Sequence, residues 1–203
     1  MTMENNFQFS IFNSQKKRGF TLIETMIAIT ILTLAIAGPI FTASRAIIAA
    51  QIARDQLIAT YLAQEGIEYV RAMRDDEFLS AYQAGGASVS SAAWAGFITG
   101  SNASSITQCR ASTCTLDPAR PMGSGSGLSL LPCSGSACTP LYLANSIYTQ
   151  QSGILGATVT PFTRTIQAFD VSAIDESVVS TVTWSFRGTT YSVTVTDHLS
   201  PWQ

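Results

Sequence analysis

Apolar and polar positions change their spacing along this chain, and each spacing predicts an element. From Thr25 to Ser44 the sequence runs for 20 residues without a charged side chain. Wound as a helix, such a stretch is about 30 Å long, the thickness of a bilayer's hydrocarbon core. Beyond it the period becomes that of a one-sided helix. Ile58, Leu62, Gly66, Tyr69 and Met73 recur every three or four residues, and Ala59, Ala63, Ile67 and Val70 widen the same stripe. Glu68 and Arg71, and Arg71 and Asp75, are spaced to pair on a polar face. The pattern predicts a helix that continues the apolar one to about residue 80 and packs its stripe on a sheet. Asp75, Asp76 and Glu77 read as its solvated end.

From Ala81 to Pro161 the periodicity fades and Gly, Ser, Ala and Thr dominate, which predicts loops. MGSGSG (122–127) lacks the strand–turn–helix context of a dinucleotide fingerprint and reads as a flexible loop. Asn102-Ala103-Ser104 is a sequon too common to carry weight. The last 42 residues alternate with period two. Phe162–Phe169 is rich in β-branched and aromatic residues. Val182, Trp184 and Phe186 share one face, with Thr181, Thr183 and Ser185 on the other. Arg187-Gly188-Thr189 reads as a turn, after which Tyr191, Val193 and Val195 alternate with hydroxyl residues. This predicts a half-buried antiparallel sheet, with Trp202 closing its core. The fold class is α+β: a long N-terminal helix packed on a small C-terminal antiparallel head.

Composition narrows the function. The chain has 203 residues, of which 46% are hydrophobic and 12% charged, with a mean hydropathy of +0.24 and a formal net charge of −2. That argues against disorder and against a cytosolic enzyme with an ordinary charged surface. No basic excess exists to neutralise phosphates, so no nucleic-acid contact is assignable. Residues 1–19 hold three bases and one acid. Without them the 11 basic and 13 acidic side chains become 8 and 12, a net of −4. Lys16 and Lys17 are the chain's two lysines, so the remainder has none to donate to a cross-link.

Lys16, Lys17 and Arg18 immediately precede the apolar run. By the positive-inside rule the N-terminus stays cytoplasmic and the body is translocated. A cleaved secretory signal or a plain anchor would share these features. Two details depart from them: the run is long for a signal's apolar core, and it contains Glu24. An acid at membrane depth costs about 2–3 kcal/mol even on lenient scales. A free α-ammonium on Phe20 would partner it, and that amine exists only if the Gly19–Phe20 bond is cut.

The run Lys16-Lys17-Arg18-Gly19-Phe20-Thr21-Leu22-Ile23-Glu24 resembles the processing motif of type IV pilins and type II secretion pseudopilins. The resemblance implies that a prepilin peptidase cuts after Gly19 on the cytoplasmic side and methylates Phe20. It also implies that Glu24, the fifth mature residue, neutralises a neighbouring subunit's N-terminus during assembly. Pro39, at mature position 20, is near but not at the family's usual kink. The expected organisation is a leader peptide at 1–19, a transmembrane and filament-core helix at 20–44 and its amphipathic continuation at 45–80. A Gly/Ser-rich loop region at 81–161 and a sheet at 162–203 follow. LAQEGIEYVRAMRD (62–75) is similar to the post-membrane helix of minor pilins. The implied partners are other pilin-like subunits, the prepilin peptidase and an inner-membrane assembly platform. The implied location is the inner membrane, with the head outside it, and then a filament.

Cys109-x4-Cys114 and Cys133-x4-Cys138 are separated by 18 residues. Outside the membrane disulfides are expected, and three pairings are possible. The likeness of CRASTCTL to CSGSACTP favours the local pairs, while a nested pairing would staple a hairpin. A four-thiolate zinc site is the sharper alternative, disfavoured by compartment. Asp170, Asp175 and Glu176 form an acidic turn that could bind calcium weakly, but the oxygen-ligand pattern is sparse. His198 is the single histidine, no hydrolase or nucleotide motif surrounds it, and no enzyme, metal or cofactor is expected. The reading is a minor pilin-like filament subunit. The alternatives are a secretion pseudopilin and a membrane-tethered adhesion module that never polymerises.

Overall fold

A computed structural model describes residues 19–85, 88–100, 105–123, 125 and 127–201. Lys16, Lys17, Arg18, the sequon at 102–104, Ser124 and Ser126 of the glycine-serine loop, and Trp202 lie outside the described residues. The chain divides into two compact units, Met1–Ala49 and Ala50–Gln203.

Helix α1 (Leu22–Ala84) opens the fold. In the first unit it is predominantly apolar, and its large apolar side chains are exposed as far as Ile47. In the second unit its buried positions are Ala59, Leu62, Ala63, Gly66, Ile67, Val70, Met73 and Glu77. The expected stripe is therefore present, narrower at its margins, since Ile58 and Tyr69 are half-buried. Two expectations are corrected. The helix runs on to Ala84, so the acidic cluster lies within it, and Glu77 is buried rather than solvated. Asp75 pairs with its neighbour Arg74 at 3.0 Å, while Arg71 pairs with Glu68 at 2.5 Å and with Asp197 on the sheet at 2.9 Å. A tertiary carboxylate displaces the local i,i+4 partner.

Residues 81–161 hold more structure than their composition predicts. Helix α2 (Val89–Thr99) and the short α3 (Thr107–Ala111) are followed by strands β1 (Cys114–Leu116) and β2 (Leu130–Pro132) and a 3₁₀ turn (Gly135–Ala137). Strands β3 (Tyr142–Ala144), β4 (Ile147–Thr149) and β5 (Thr158–Val159) form a three-stranded sheet. Ala93, Phe97 and Ile98 give α2 a buried edge at helical spacing, diluted by serines that can face solvent. The cysteines pair locally, 109 with 114 and 133 with 138. The first disulfide is buried between α3 and β1, and the second closes the 3₁₀ turn.

The main sheet is antiparallel in the order β2-β1-β6-β7-β8, with β6 (Thr163–Ser172), β7 (Asp175–Phe186) and β8 (Thr189–Leu199). Arg187 and Gly188 both have positive φ, 51° and 83°, as the mirror-image turn of a two-residue hairpin requires. Burial alternates along β7, with Val178, Ser180, Val182 and Trp184 facing inward. One core cluster joins Ile67, Val70 and Met73 of α1 to Phe97, Leu116, Ile166 and Val178. A second joins Ala59, Leu62 and Ala63 to Leu141, Phe162, Val182 and Trp184. Gly66 marks a close approach of helix to sheet: a Cβ there would lie 2.6 Å from Ser180 Oγ and 2.9 Å from Ile166 Cδ1.

Candidate functional site

Residues 19–47 hold the residues expected to be processed. Gly19 and Phe20 precede α1, and Phe20 is 76% exposed. Thr21 caps the helix: its Oγ1 accepts the Glu24 backbone N–H at 3.3 Å. Threonine followed three residues later by glutamate is the sequence of a capping box, so local chemistry alone starts the helix here. It also sets Glu24 in the first turn, where the helix's positive end favours a carboxylate.

The apolar segment settles its own polar groups. Thr25, Thr30, Thr33, Thr42 and Ser44 each donate a side-chain hydroxyl to a helix carbonyl three or four residues back, at 2.8–3.0 Å. None of these hydroxyls needs water or a partner chain, which suits a medium without hydrogen bonds to offer. Pro39 lies inside α1, where it removes the N–H that would bond four residues back. Thr42 returns its hydroxyl to the Pro39 carbonyl at 3.0 Å.

The ionisable groups around the β6–β7 turn pair with one another. Asp175 faces His198 Nδ1 at 3.0 Å, and the imidazole is 59% exposed. Arg110 contacts Asp170 at 3.1 Å and Glu176 at 2.9 Å. Burial pushes the Glu176 carboxyl above the usual range, and the Arg110 guanidinium partly opposes it. The acidic turn considered for calcium is thus met by Arg110 and His198. Among the described residues no cluster of histidine, cysteine, aspartate and glutamate is placed to hold a metal.

Arg164 is the residue that pattern reading missed. It is fully buried. Its Nη1 donates to the Leu62 carbonyl of α1 at 3.0 Å and to the Glu65 carboxylate, and its Nη2 donates to the Leu116 carbonyl of β1 at 2.9 Å. Burial pulls its pKa down, with Glu65 opposing. Strand parity carries the signal: Phe162, Arg164, Ile166 and Ala168 are alternate residues, so the guanidinium must point inward.

Residues 14–38 match the family model described as the prokaryotic N-terminal methylation motif. No curated protein and no solved structure matches the chain. The match places Gly19, Phe20 and Glu24 inside the motif. With the long helix and antiparallel head that follow, it is consistent with a type IV pilin-like protein.

Proposed function

We propose that this chain is a minor subunit of a type IV pilus-like filament. It is made as a membrane prepilin with its N-terminus in the cytoplasm. Prepilin peptidase cuts it between Gly19 and Phe20 and methylates Phe20, and the chain then assembles through α1. One observation carries the reading. The motif at 14–38 runs in register into a helix whose large apolar side chains are exposed at thirteen positions between Phe20 and Ile47.

The proposed chemistry of assembly is electrostatic. Cutting creates an α-ammonium on Phe20, just ahead of the positive end of α1, where a cation is disfavoured. The Glu24 carboxylate of an adjoining subunit relieves that charge, and the pair fixes the axial step between helices. A head bearing two disulfides suits an oxidising compartment outside the membrane. The role is structural rather than catalytic.

Cleavage can be read directly, because it removes both lysines. Membrane-extracted protein, made with and without a co-expressed prepilin peptidase, is digested with a lysine-specific protease and its intact mass measured. The expected product begins at Phe20, carries a methyl and is left whole by the protease. An uncut chain, or a cut in the region of Ala43–Ala50, overturns the reading and makes the segment a plain anchor or a secretory signal. Given correct cleavage, the chain's presence in sheared surface filaments upholds the pilus. Its absence there, with a secretion defect on deletion, assigns it to a secretion pseudopilus.

A further inference from the structure

Strand β8 is an open edge of the main sheet, bonded to β7 alone. It is 11 residues long and pairs with β7 without a bulge from Thr189 to Leu199. The other edge strands among the described residues, β2, β4 and β5, have two or three residues each, and β2 ends in Pro132. The hairpin decides which backbone groups of β8 lie open. A two-residue mirror-image turn closes on a hydrogen-bonded pair, here Phe186 and Thr189, and such pairs then alternate with non-hydrogen-bonded ones. Tyr191, Val193, Val195, Asp197 and Leu199 therefore bond to β7. Thr190, Ser192, Thr194, Thr196 and His198 turn both N–H and C=O away from the sheet. The hydroxyls of Thr181 and Thr194, 3.2 Å apart, fit this parity, because opposed side chains approach more closely in a non-hydrogen-bonded pair.

A long open edge is a template for another strand, and proteins that leave one unpaired blunt it with lysine, proline, a bulge or an inward charge. Strand β8 has no lysine, no proline and no bulge. Its inward carboxylate, Asp197, lies near the end of the strand and is taken up by Arg71 at 2.9 Å, while His198 beside it faces Asp175. From Thr189 to Thr196 the strand carries no charge and consists of threonine, tyrosine, valine and serine, mostly strong strand formers. Its inward apolar side chains, Tyr191, Val193 and Val195, are half-buried at the margin of the core, where one more strand would cover them.

We propose that β8 pairs antiparallel with β8 of a second copy of this chain, about a two-fold axis at Thr194. Length selects the partner, since every other open edge described in the chain is too short to match it. Backbone parity selects the register. With the axis at Thr194, Thr190 opposes His198 of the second copy, Ser192 opposes Thr196, and Thr194 opposes itself, so every outward residue exchanges hydrogen bonds. Moving the axis to Val193 leaves His198 unpaired, and moving it to Val195 leaves Thr190 unpaired. On the inner side Val193 meets Val195 and Tyr191 meets Asp197, so no like charges are opposed. The contact is isologous and closes at two chains. Helix α1 runs opposite to β7, with Ala59 and Leu62 in a cluster with Trp184, and Val70 and Met73 in one with Val178. The axis reverses α1, so the paired chains point in opposite directions and do not stand side by side in one membrane. The pairing uses the head alone and does not rest on the proposed filament.

The test uses the full chain in a non-ionic detergent. All four native cysteines are in disulfides, so an added one supplies a free thiol. On mild oxidation Thr194→Cys should give a disulfide-linked dimer on a non-reducing gel, because directly opposed Cβ atoms lie about 4.5–5.5 Å apart. Ser192→Cys and Thr196→Cys, exposed on the same face, should each fail to link to themselves and should link to each other when mixed. Light scattering corrected for detergent should show a dimer of the unmodified chain. Thr194→Lys and Thr194→Glu should each shift it to monomer, by opposing like charges at the axis, and an equimolar mixture of the two should restore it. Thr194 is exposed, so these variants leave the core of the head intact. A monomeric unmodified chain, which would leave the edge to a strand of another protein or to none, overturns the proposal. Self-linking by Ser192→Cys equal to that by Thr194→Cys, or a dimer that survives both charge variants and is therefore held by α1, overturns it as well.

Discussion

Replacing Arg164 tests what holds the sheet on its helix. The buried guanidinium donates to carbonyls on α1 and β1, which are 54 positions apart in sequence between Leu62 and Leu116, and to the Glu65 carboxylate. Truncation to alanine removes all three bonds, leaves the Leu116 carbonyl without this donor and opens the space the stem filled. Charge-assisted bonds are worth about 1.5–3 kcal/mol each, but relief of the buried cation's desolvation offsets several kcal/mol. Loss of one partner from such a buried pair costs about 3–5 kcal/mol, the expected value for Arg164→Ala. Glu65 is different, because its side chain is 45% exposed. Glu65→Gln keeps both carbonyl bonds and loses only a screened attraction, about 1 kcal/mol or less. Arg164→Met refills the stem volume without a donor and should fall between the two. Urea unfolding of the full chain at fixed detergent concentration, read by fluorescence of the buried Trp184, gives all three values. The reasoning fails if Glu65→Gln costs as much as Arg164→Ala, or if Arg164→Ala costs under about 1 kcal/mol, within the range of an exposed pair.

Four further outcomes are expected. Glu24→Gln should leave cleavage and methylation intact and reduce incorporation into filaments, measured by immunoblot of sheared filaments against the membrane pool; equal incorporation would refute its assembly role. Gly19→Leu should block the proposed cleavage and leave the full-length mass. Gly66→Val should destabilise the head by about 1–3 kcal/mol in the same urea assay, the cost of overpacking where a Cβ meets Ser180 and Ile166. Glu176 holds its proton more tightly folded than unfolded, chiefly because it is buried, with Arg110 opposing and Asp170 and Asp175 adding to the rise. Between the unfolded and the raised folded pKa the native state binds more protons, so stability should fall as pH rises through that window. Glu176→Gln should flatten this slope in unfolding curves collected across pH.

The legible parts of the fold are those where one solvent faces one spacing. The α1 stripe from Ala59 to Met73 and the alternation of β7 each bury one side, so period alone reveals them. The opening Thr21-Leu22-Ile23-Glu24 is local as well, since its cap bond spans three residues. Helix α2 was hidden because its buried edge is set among serines and alanines that score as loop. Helix α1 runs past its acidic cluster because Glu77 is buried and Asp75 pairs with Arg74. Arg164, Arg110 and the switch of Arg71 to Asp197 depend on partners far along the chain, and composition carries no trace of which carboxylate a guanidinium will meet.

The same helix solves opposite solvation problems in the two units, and magnitude decides what its first part requires. Thirteen large apolar side chains between Phe20 and Ile47 are each more than half exposed. Covering such side chains is worth about 1.5–3 kcal/mol apiece at full burial, so the uncovered surface represents on the order of 20 kcal/mol. That exceeds the whole stability of an ordinary domain, about 5–15 kcal/mol, and no water-exposed state of this segment can persist against it. Lipid covers such a surface, and so do the helices of other subunits. Glu24 shifts the balance by only about 2–3 kcal/mol, a tenth of the total, so one carboxylate does not keep the helix out of a membrane. It does bias the choice between the two covers. Lipid offers the carboxylate no counter-charge, whereas a packed bundle of cleaved subunits offers the α-ammonium of Phe20. On the proposed reading, the apolar surface accounts for residence in the bilayer, and the single acid within it favours leaving the bilayer for a filament.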